Sequence, residues 1–217
     1  MGGRSIRVLV VDDHAVFASS LGRALGDEDG IDVIATVTTG AAARRAMDDG
    51  VDVVLCDYRL ADGEEDGATL ARALLDGWPD SKVVMLTAST DDAVLIAAIE
   101  AGCCGFLLKS AHLVDVVAGV RAAASGESVI SPSMLLHLLP RIEQRTSRPV
   151  DNLTTRELEV LRVMAHGGSN EAIARELFVS RDTIRNHVAS ILRKLDAHSK
   201  LEAVAVATRR GIIHQGK

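Results

Sequence analysis

The first 125 residues repeat one pattern five times: a short, mostly β-branched apolar run, then a segment whose apolar residues recur at helical spacing. The runs are Ile6–Val11, Ile31–Thr36, Val51–Cys56, Lys82–Thr87 and Gly105–Leu108. They are near-continuously apolar rather than alternating, which predicts strands buried on both faces. Between them, Val16, Phe17, Leu21 and Leu25 share one helical face, and Ala42–Met47, Leu70–Leu75, Val94–Ile99 and Leu113–Val120 repeat the motif. Such alternation admits few folds, because parallel strands need crossovers and the crossover helices must cover the sheet. The expectation is a doubly wound α/β domain with five parallel strands and a ligand crevice beyond their carboxyl ends.

The rhythm changes after Gly126. Ser131, Pro132 and Ser133 punctuate the chain, a short amphipathic stretch MLLHLLPRI follows, and the polar run 143–152 with Pro149 reads as a linker. From Thr154 onward four helical segments, 155–165, 170–177, 181–195 and 200–210, are separated by GGS, FVS and DAHS, which predicts a small all-α domain containing a tight helix-turn-helix. The expected division is 1–127, a linker with a short helix over 128–150, and 151–217. Charge follows it: residues 1–140 carry a net −11 and residues 141–217 a net +5. A basic half beside an acidic one points to different partners, nucleic acid being the natural one for the basic half. No apolar run approaches membrane-spanning length, and the N-terminus turns acidic before a signal-peptide core could form, so a cytoplasmic protein without a membrane partner is expected. Cys56, Cys103 and Cys104 lack zinc spacing and are odd in number, which predicts buried thiols rather than disulfides or a metal–thiolate centre.

Asp12 and Asp13 follow the first strand and Asp57 the third, so the inferred sheet brings three carboxylates to one crevice. Their mutual repulsion and hard oxygens suit Mg²⁺, which takes one or two protein carboxylates and fills the rest of its shell with water and phosphate oxygens. Thr87 ends the fourth strand with a hydroxyl and Lys109 follows the fifth with a cation. A carboxylate nucleophile, a metal and two donors form a phosphoryl-acceptor set.

The residues VVDD, LCDY, MLTAS and FLLKS, in that order and at those strand ends, resemble the flavodoxin-like receiver domain of bacterial two-component response regulators. The resemblance implies that a sensor histidine kinase phosphorylates Asp57, and that Asp12, Asp13, Asp57 and the Arg59 carbonyl bind Mg²⁺. It further implies that Thr87 and Lys109 contact the phosphoryl group and that Phe106 is the switch aromatic. Two departures stand out: Ala61 replaces a proline usual in the family, with a longer loop before Gly67, and Phe106 lacks the hydroxyl of the commoner tyrosine.

From Leu153 the chain resembles the LuxR-type DNA-binding domain of the NarL/FixJ regulators. Leu158, Val160, Leu161 and Met164 form one core face, Ile173, Ala174 and Leu177 a second, and Ile184, Val188, Ile191, Leu192 and Leu195 a third. Ser180 is the expected N-cap of the long helix. Arg185 is suited to guanine, Asn186 to adenine and Ala189 to a thymine methyl, while Ser180, Arg181, Thr183, His187, Arg193 and Lys194 are suited to phosphates. The resemblance makes the last helix, with Val204 and Ala207, the dimer contact.

Together these readings predict a DNA-binding transcriptional response regulator, not a metabolic enzyme. Its expected partners are a histidine kinase, double-stranded promoter DNA and RNA polymerase, and its active form is expected to be a homodimer. Two rivals remain: a regulator whose receiver is only an interaction platform, and a Mg²⁺-dependent phosphohydrolase. The second finds neither a P-loop nor a G-x-G-x-x-G in the chain.

Overall fold

The computed structural model describes residues 4–60, 65–88, 91–130, 134–135, 138–139, 153–167 and 169–213. The chain divides into two compact units, Met1–Val129 and Ile130–Lys217. In the first, β1 (Ile6–Val11), β2 (Ile31–Val37), β3 (Val53–Asp57), β4 (Lys82–Thr87) and β5 (Gly105–Leu108) alternate with α1 (Ala15–Gly26), α2 (Gly40–Met47), α3 (Gly67–Gly77), α4 (Asp92–Glu100) and α5 (Leu113–Ala124). All four strand pairings are parallel, in the order β2-β1-β3-β4-β5. The order reverses between β1 and β3, where a crevice opens at the carboxyl ends.

Residue parity explains the apolar runs. Leu9, Val11, Val54, Cys56, Val83 and Met85 pack on one face with residues of α2, α3 and α4. Their neighbours Val8, Val10, Val53, Leu55, Val84 and Leu86 pack on the other with α1 and α5. Helices cover both faces of β1, β3 and β4, which is why their positions run almost continuously apolar, while the edge strand β2 leaves Asp32 and Thr36 exposed.

Two strand boundaries differ from expectation. β2 carries an extra residue, Ile34, between the pairings Val8–Val33 and Leu9–Ala35, and runs on to Val37. β3 begins at Val53 instead of Val51 and ends on Asp57. The cause is Asp52, whose carboxylate accepts the Arg7 backbone N–H at 2.9 Å in place of a strand carbonyl. The three cysteines are free and buried, as their spacing predicted.

The second unit contains α6 (Thr155–Met164), α7 (Asn170–Glu176), α8 (Arg181–Leu195) and α9 (Lys200–Arg209). Each opens on a hydroxyl N-cap: Thr154, Ser169, Ser180 and Ser199 accept the backbone N–H three residues on, at 3.0–3.2 Å. Val160, Leu161, Met164, Ile173, Ala174, Ile184, Val188, Ile191 and Leu195 are buried, while Leu158, Leu177 and Leu192 are half-buried. The α7–α8 turn passes through Phe178 at φ 55°. Of the stretch expected as a short amphipathic helix, Leu135, Leu138 and Leu139 are described and buried. The polar linker and Ala61 lie outside the described residues.

Candidate functional site

The carboxyl ends of β1, β3, β4 and β5 extend their ladders by one more bond, and those bonds place the predicted side chains. Asp12 donates its backbone N–H to Val37 at 3.0 Å, Tyr58 to Leu86 at 3.0 Å, and Lys109 to Thr87 at 2.8 Å. Asp12, Asp57 and Thr87 are buried as a result, at 0%, 4% and 3% exposure. Gly67 opens α3 directly against β3: a Cβ there would overlap the Asp57 carbonyl, so only glycine allows that approach. Asp66 caps α3 through the Thr69 N–H at 2.8 Å, and Glu65 is gripped by both guanidinium nitrogens of Arg44 on α2 at 2.7 Å. The end of the lengthened loop is thus anchored to its neighbouring helix.

Lys109 reaches back into the crevice, with Nζ 2.7 Å from Asp12 Oδ2 and 2.8 Å from Asp57 Oδ2, and stands 5.2 Å over the Phe17 ring. Burial raises the Asp57 carboxyl above its ordinary range. The Lys109 ammonium and the Arg59 backbone N–H pull it down, the charge of Asp12 pushes it up, and the balance stays upward. Burial works against the Lys109 charge too, but hydrogen bonds to Asp12 and Asp57 outweigh it and raise its pKa. One cation is therefore shared by two buried carboxylates. Asp12 Oδ2 is fully buried with the Lys109 ammonium as its partner, and one donor atom from each of Asp12, Asp13, His14 and Asp57 lies within 4.8 Å of the others. A crowded set of hard carboxylate oxygens that shares one ammonium fits a divalent cation such as Mg²⁺.

Thr87 stands at the end of β4 beside this cluster. Phe106, on β5, is half-buried against the α2–α4 side of the core. Arg59 turns its backbone N–H toward Asp57. The sequence reading passed over His14, whose Nδ1 lies 2.7 Å from Asp13 Oδ1.

On α8 the exposed residues are Arg181, Asp182, Arg185, Asn186, Ala189 and Arg193, a stripe at i, i+4 spacing. All three residues suited to bases lie on it. Arg185 pairs with Asp182 at 2.9 Å, both largely in water, an arrangement of little energetic weight. Thr183 and His187 are half-buried at its margin, and the Ser180 and Thr183 hydroxyls bond each other at 2.8 Å. Lys194 is engaged inside the unit: its ammonium meets Glu157 Oε2 at 2.7 Å. Val204 and Ala207, expected as the dimer contact, are buried in this structure at 1% and 0%.

Glu157 was also missed. Its carboxylate accepts the Thr154 backbone N–H, the Ser190 hydroxyl and the Lys194 ammonium, each at 2.7 Å, joining α6 to α8. Burial opposes its charge, but Lys194, the Thr154 backbone and Ser190 outweigh it, and the carboxyl falls to about 2. The available signal was the Thr154-x-x-Glu157 spacing of a capping box.

A doubly wound sheet with clustered acids and a lysine at its switch point, followed by a helix-turn-helix with an exposed basic stripe, defines a receiver joined to a DNA-binding module. Residues 8–121 match the response regulator receiver domain family, and residues 151–207 match the bacterial regulatory proteins of the luxR family. The chain is 34% identical over 209 residues to the probable transcriptional regulatory protein NarL of Mycobacterium tuberculosis, covering 96% of each. It is 32% identical to the transcriptional regulatory protein LiaR of Bacillus subtilis, covering 96% of this chain and 100% of LiaR. The crystal structure of ChrA, a response regulator of a heme-sensing two-component system, matches at 32% identity and a TM-score of 0.52, covering 96% of this chain and 99% of ChrA. The chain belongs to the NarL/FixJ family of two-component response regulators, with a receiver and a LuxR-type DNA-binding domain. Among the described residues no helix is long and apolar enough to cross a membrane.

Proposed function

We propose that Asp57 is the phosphoacceptor through which a sensor histidine kinase controls binding of the helix-turn-helix to promoter DNA. The observation that carries this reading is the pair of 2.7 and 2.8 Å contacts from one lysine to two buried carboxylates, with Thr87 at the neighbouring strand end. In the transfer an Asp57 oxygen attacks the phosphorus of a phosphohistidine. The O–P bond forms as the N–P bond breaks, and the imidazole departs. A Mg²⁺ ion held by Asp12, Asp13, Asp57 and the Arg59 carbonyl would supply charge neutralisation on the phosphoryl oxygens. Asp57 is aligned by its strand and by the Arg59 N–H. Lys109 and the Thr87 hydroxyl are placed to meet the added oxygens, Lys109 by loosening its hold on Asp12.

The added group bears extra negative charge and new acceptor oxygens, so it favours whichever receiver conformation brings Thr87 and Lys109 closest to it. Phe106, which pairs with Met85 two residues before Thr87 in the β4–β5 register, would follow the change by altering its packing. On the DNA side, Arg185, Asn186 and Ala189 would face base edges, while Ser180, Arg181, Thr183, His187, Arg193 and Lys194 would face phosphates. Val204 and Ala207 would pair two copies in the active state, which requires α9 to become accessible. RNA polymerase is the further partner such a regulator would address, and the cytoplasm its compartment.

Incubating the full chain with a small phosphodonor and Mg²⁺ tests the reading by intact mass and light scattering. An adduct on the wild type but not on Asp57→Asn, with a shift to dimer and tighter operator binding, is the expected result. An adduct with unchanged mass by scattering and unchanged DNA affinity would sink the coupling. No adduct at all would leave the receiver as an interaction platform.

A further inference from the structure

We propose that the parallel bridge between Gly105 on β5 and Val129 is a latch, which holds the start of the linker on the receiver while Asp57 is unphosphorylated and opens when a phosphoryl group draws Lys109 away from Asp12. The proposal rests on the reading that Asp57 is the phosphoacceptor and that Lys109 meets the added group.

Local structure leads the chain to the bridge. α5 ends at Ala124, and Gly126, at φ 76°, takes the left-handed conformation that turns the chain back. Gly126 donates its N–H to the Ala123 carbonyl at 2.9 Å and Glu127 to that of Ala122 at 2.8 Å, and two residues later the chain lies beside β5. There Val129 donates its backbone N–H to the Cys104 carbonyl at 2.9 Å and accepts the N–H of Phe106 at 3.0 Å. The two backbones meet so closely that a Cβ on Gly105 would overlap the Val129 carbonyl, so glycine alone permits the bridge. The Val129 side chain is buried in the α1–α5 side of the core, beside Gly119 of α5.

Three features give the bridge a role beyond covering a sheet edge. Val129 is the last residue of the first compact unit and Ile130 the first of the second, so the chain leaves the receiver at this point. β5 has four residues, all paired with β4 on one side; on the other, among the described residues, it is held by this bridge alone. Lys109 follows β5 directly, its N–H bonded to Thr87 and its ammonium to Asp12 and Asp57. The residue that meets the phosphoryl group and the residue from which the linker departs are therefore attached to the same short strand. A pull on Lys109 shifts that strand, and an isolated bridge of two hydrogen bonds yields before the continuous β4–β5 ladder does. Opening it adds residues 127–130 to the linker and frees the direction in which the second unit leaves. Val204 and Ala207, buried while the bridge is closed, become available to pair two copies once it opens.

Full-length wild type, Gly105→Ala and Val129→Pro test this, each with and without a small phosphodonor and Mg²⁺. The two substitutions open the bridge from opposite sides: one adds a Cβ that displaces Val129, the other removes the N–H that Cys104 accepts. Intact mass reports the adduct, light scattering the oligomeric state, and hydrogen exchange the Phe106 and Val129 amides. In the wild type we expect those two amides to exchange about tenfold faster or more after phosphorylation, while the amides of β3 and β4 change little. Both variants should take the adduct as the wild type does, yet dimerise without phosphodonor at a concentration about tenfold or more below that of the unphosphorylated wild type. Variants that dimerise no better than the wild type without phosphodonor would overturn the proposal and leave the bridge as edge cover for β5. Exchange at Phe106 and Val129 that phosphorylation leaves unchanged would overturn it as well, and this arm stands even where a variant fails to fold. A wild type that takes no adduct would defeat the phosphoacceptor reading instead, and the oligomeric state of the variants would still decide the latch.

Discussion

Each domain of this regulator buries carboxylate against lysine, and the two arrangements come out with opposite sign. In the helix-turn-helix domain one carboxylate, Glu157, is served by a lysine, a hydroxyl and a backbone N–H, all at 2.7 Å, and its pKa drops to about 2. In the receiver one lysine serves two buried carboxylates, Asp12 and Asp57, and the Asp57 pKa rises. Burial opposes charge in both places. The number of donors per carboxylate decides which side prevails. The over-served acid locks α6 to the recognition helix α8 and has nothing left to offer a ligand. The under-served pair stores unfavourable charge that a cation, or a phosphoryl group with its cation, can relieve. Among these two buried acid–lysine groups, donor count separates structure from function.

The sharpest way to break the comparison is to remove each lysine-bound partner. Lys109→Met leaves two buried carboxylates without their cation, and we expect a loss of about 3–5 kcal/mol in receiver stability, read from urea unfolding of the full chain. Saturating Mg²⁺ should restore more stability to this variant than it adds to the wild type, because it answers the same unmet charge. A loss under about 1 kcal/mol would mean that water already serves the acids.

Glu157→Gln comes next. The Glu157 carboxyl is lower in the folded chain, about 2, than the ordinary 4.5, so its stabilisation is fully present above about pH 5 and is lost as pH falls through the folded value. That difference corresponds to about 3 kcal/mol. The variant should be less stable by that order at pH 7, with the gap to wild type closing toward pH 2. A gap that stays constant with pH would assign the effect to shape rather than charge.

Much of this was legible in the sequence because burial on both faces leaves a strong signature. Strands such as Ile6–Val11 and Lys82–Thr87 fell where their apolar runs stand, and the ordered carriers Asp12, Asp13, Asp57, Thr87 and Lys109 converged at the strand ends. What escaped depended on partners distant in sequence. Asp52 looked like part of β3, yet its side chain replaces a strand carbonyl for Arg7. Glu157 reads as an ordinary helix acid until Ser190 and Lys194, more than thirty residues on, fold against it. Lys194 reads as one more surface cation for the same reason. Val204 and Ala207 carry a small-residue pattern common to core and contact surfaces, and periodicity alone does not separate the two.

Thr154→Ala is a smaller cut into the over-served acid. It removes the hydroxyl that caps α6 at 3.2 Å, while the backbone N–H to Glu157 and the Lys194 contact remain. A loss of about 1 kcal/mol is expected, the usual weight of a cap. Asp57→Asn should give the smallest change and the opposite sign. Because the folded Asp57 pKa is raised, the folded chain holds that proton more tightly than the unfolded one. Stability therefore falls as pH rises from 3.8 through the folded value, and at pH 7 the charge is a net cost. Asparagine removes the charge and keeps an acceptor for Lys109, so a gain of roughly 0.5–1 kcal/mol is expected in metal-free buffer. Saturating Mg²⁺ should reverse the order, since the wild type gains the binding energy of a cation that the variant holds less well. Thermal unfolding with and without Mg²⁺ reads both signs. A variant less stable than wild type in metal-free buffer would show Asp57 to be as well served as Glu157 and erase the distinction between the two acids.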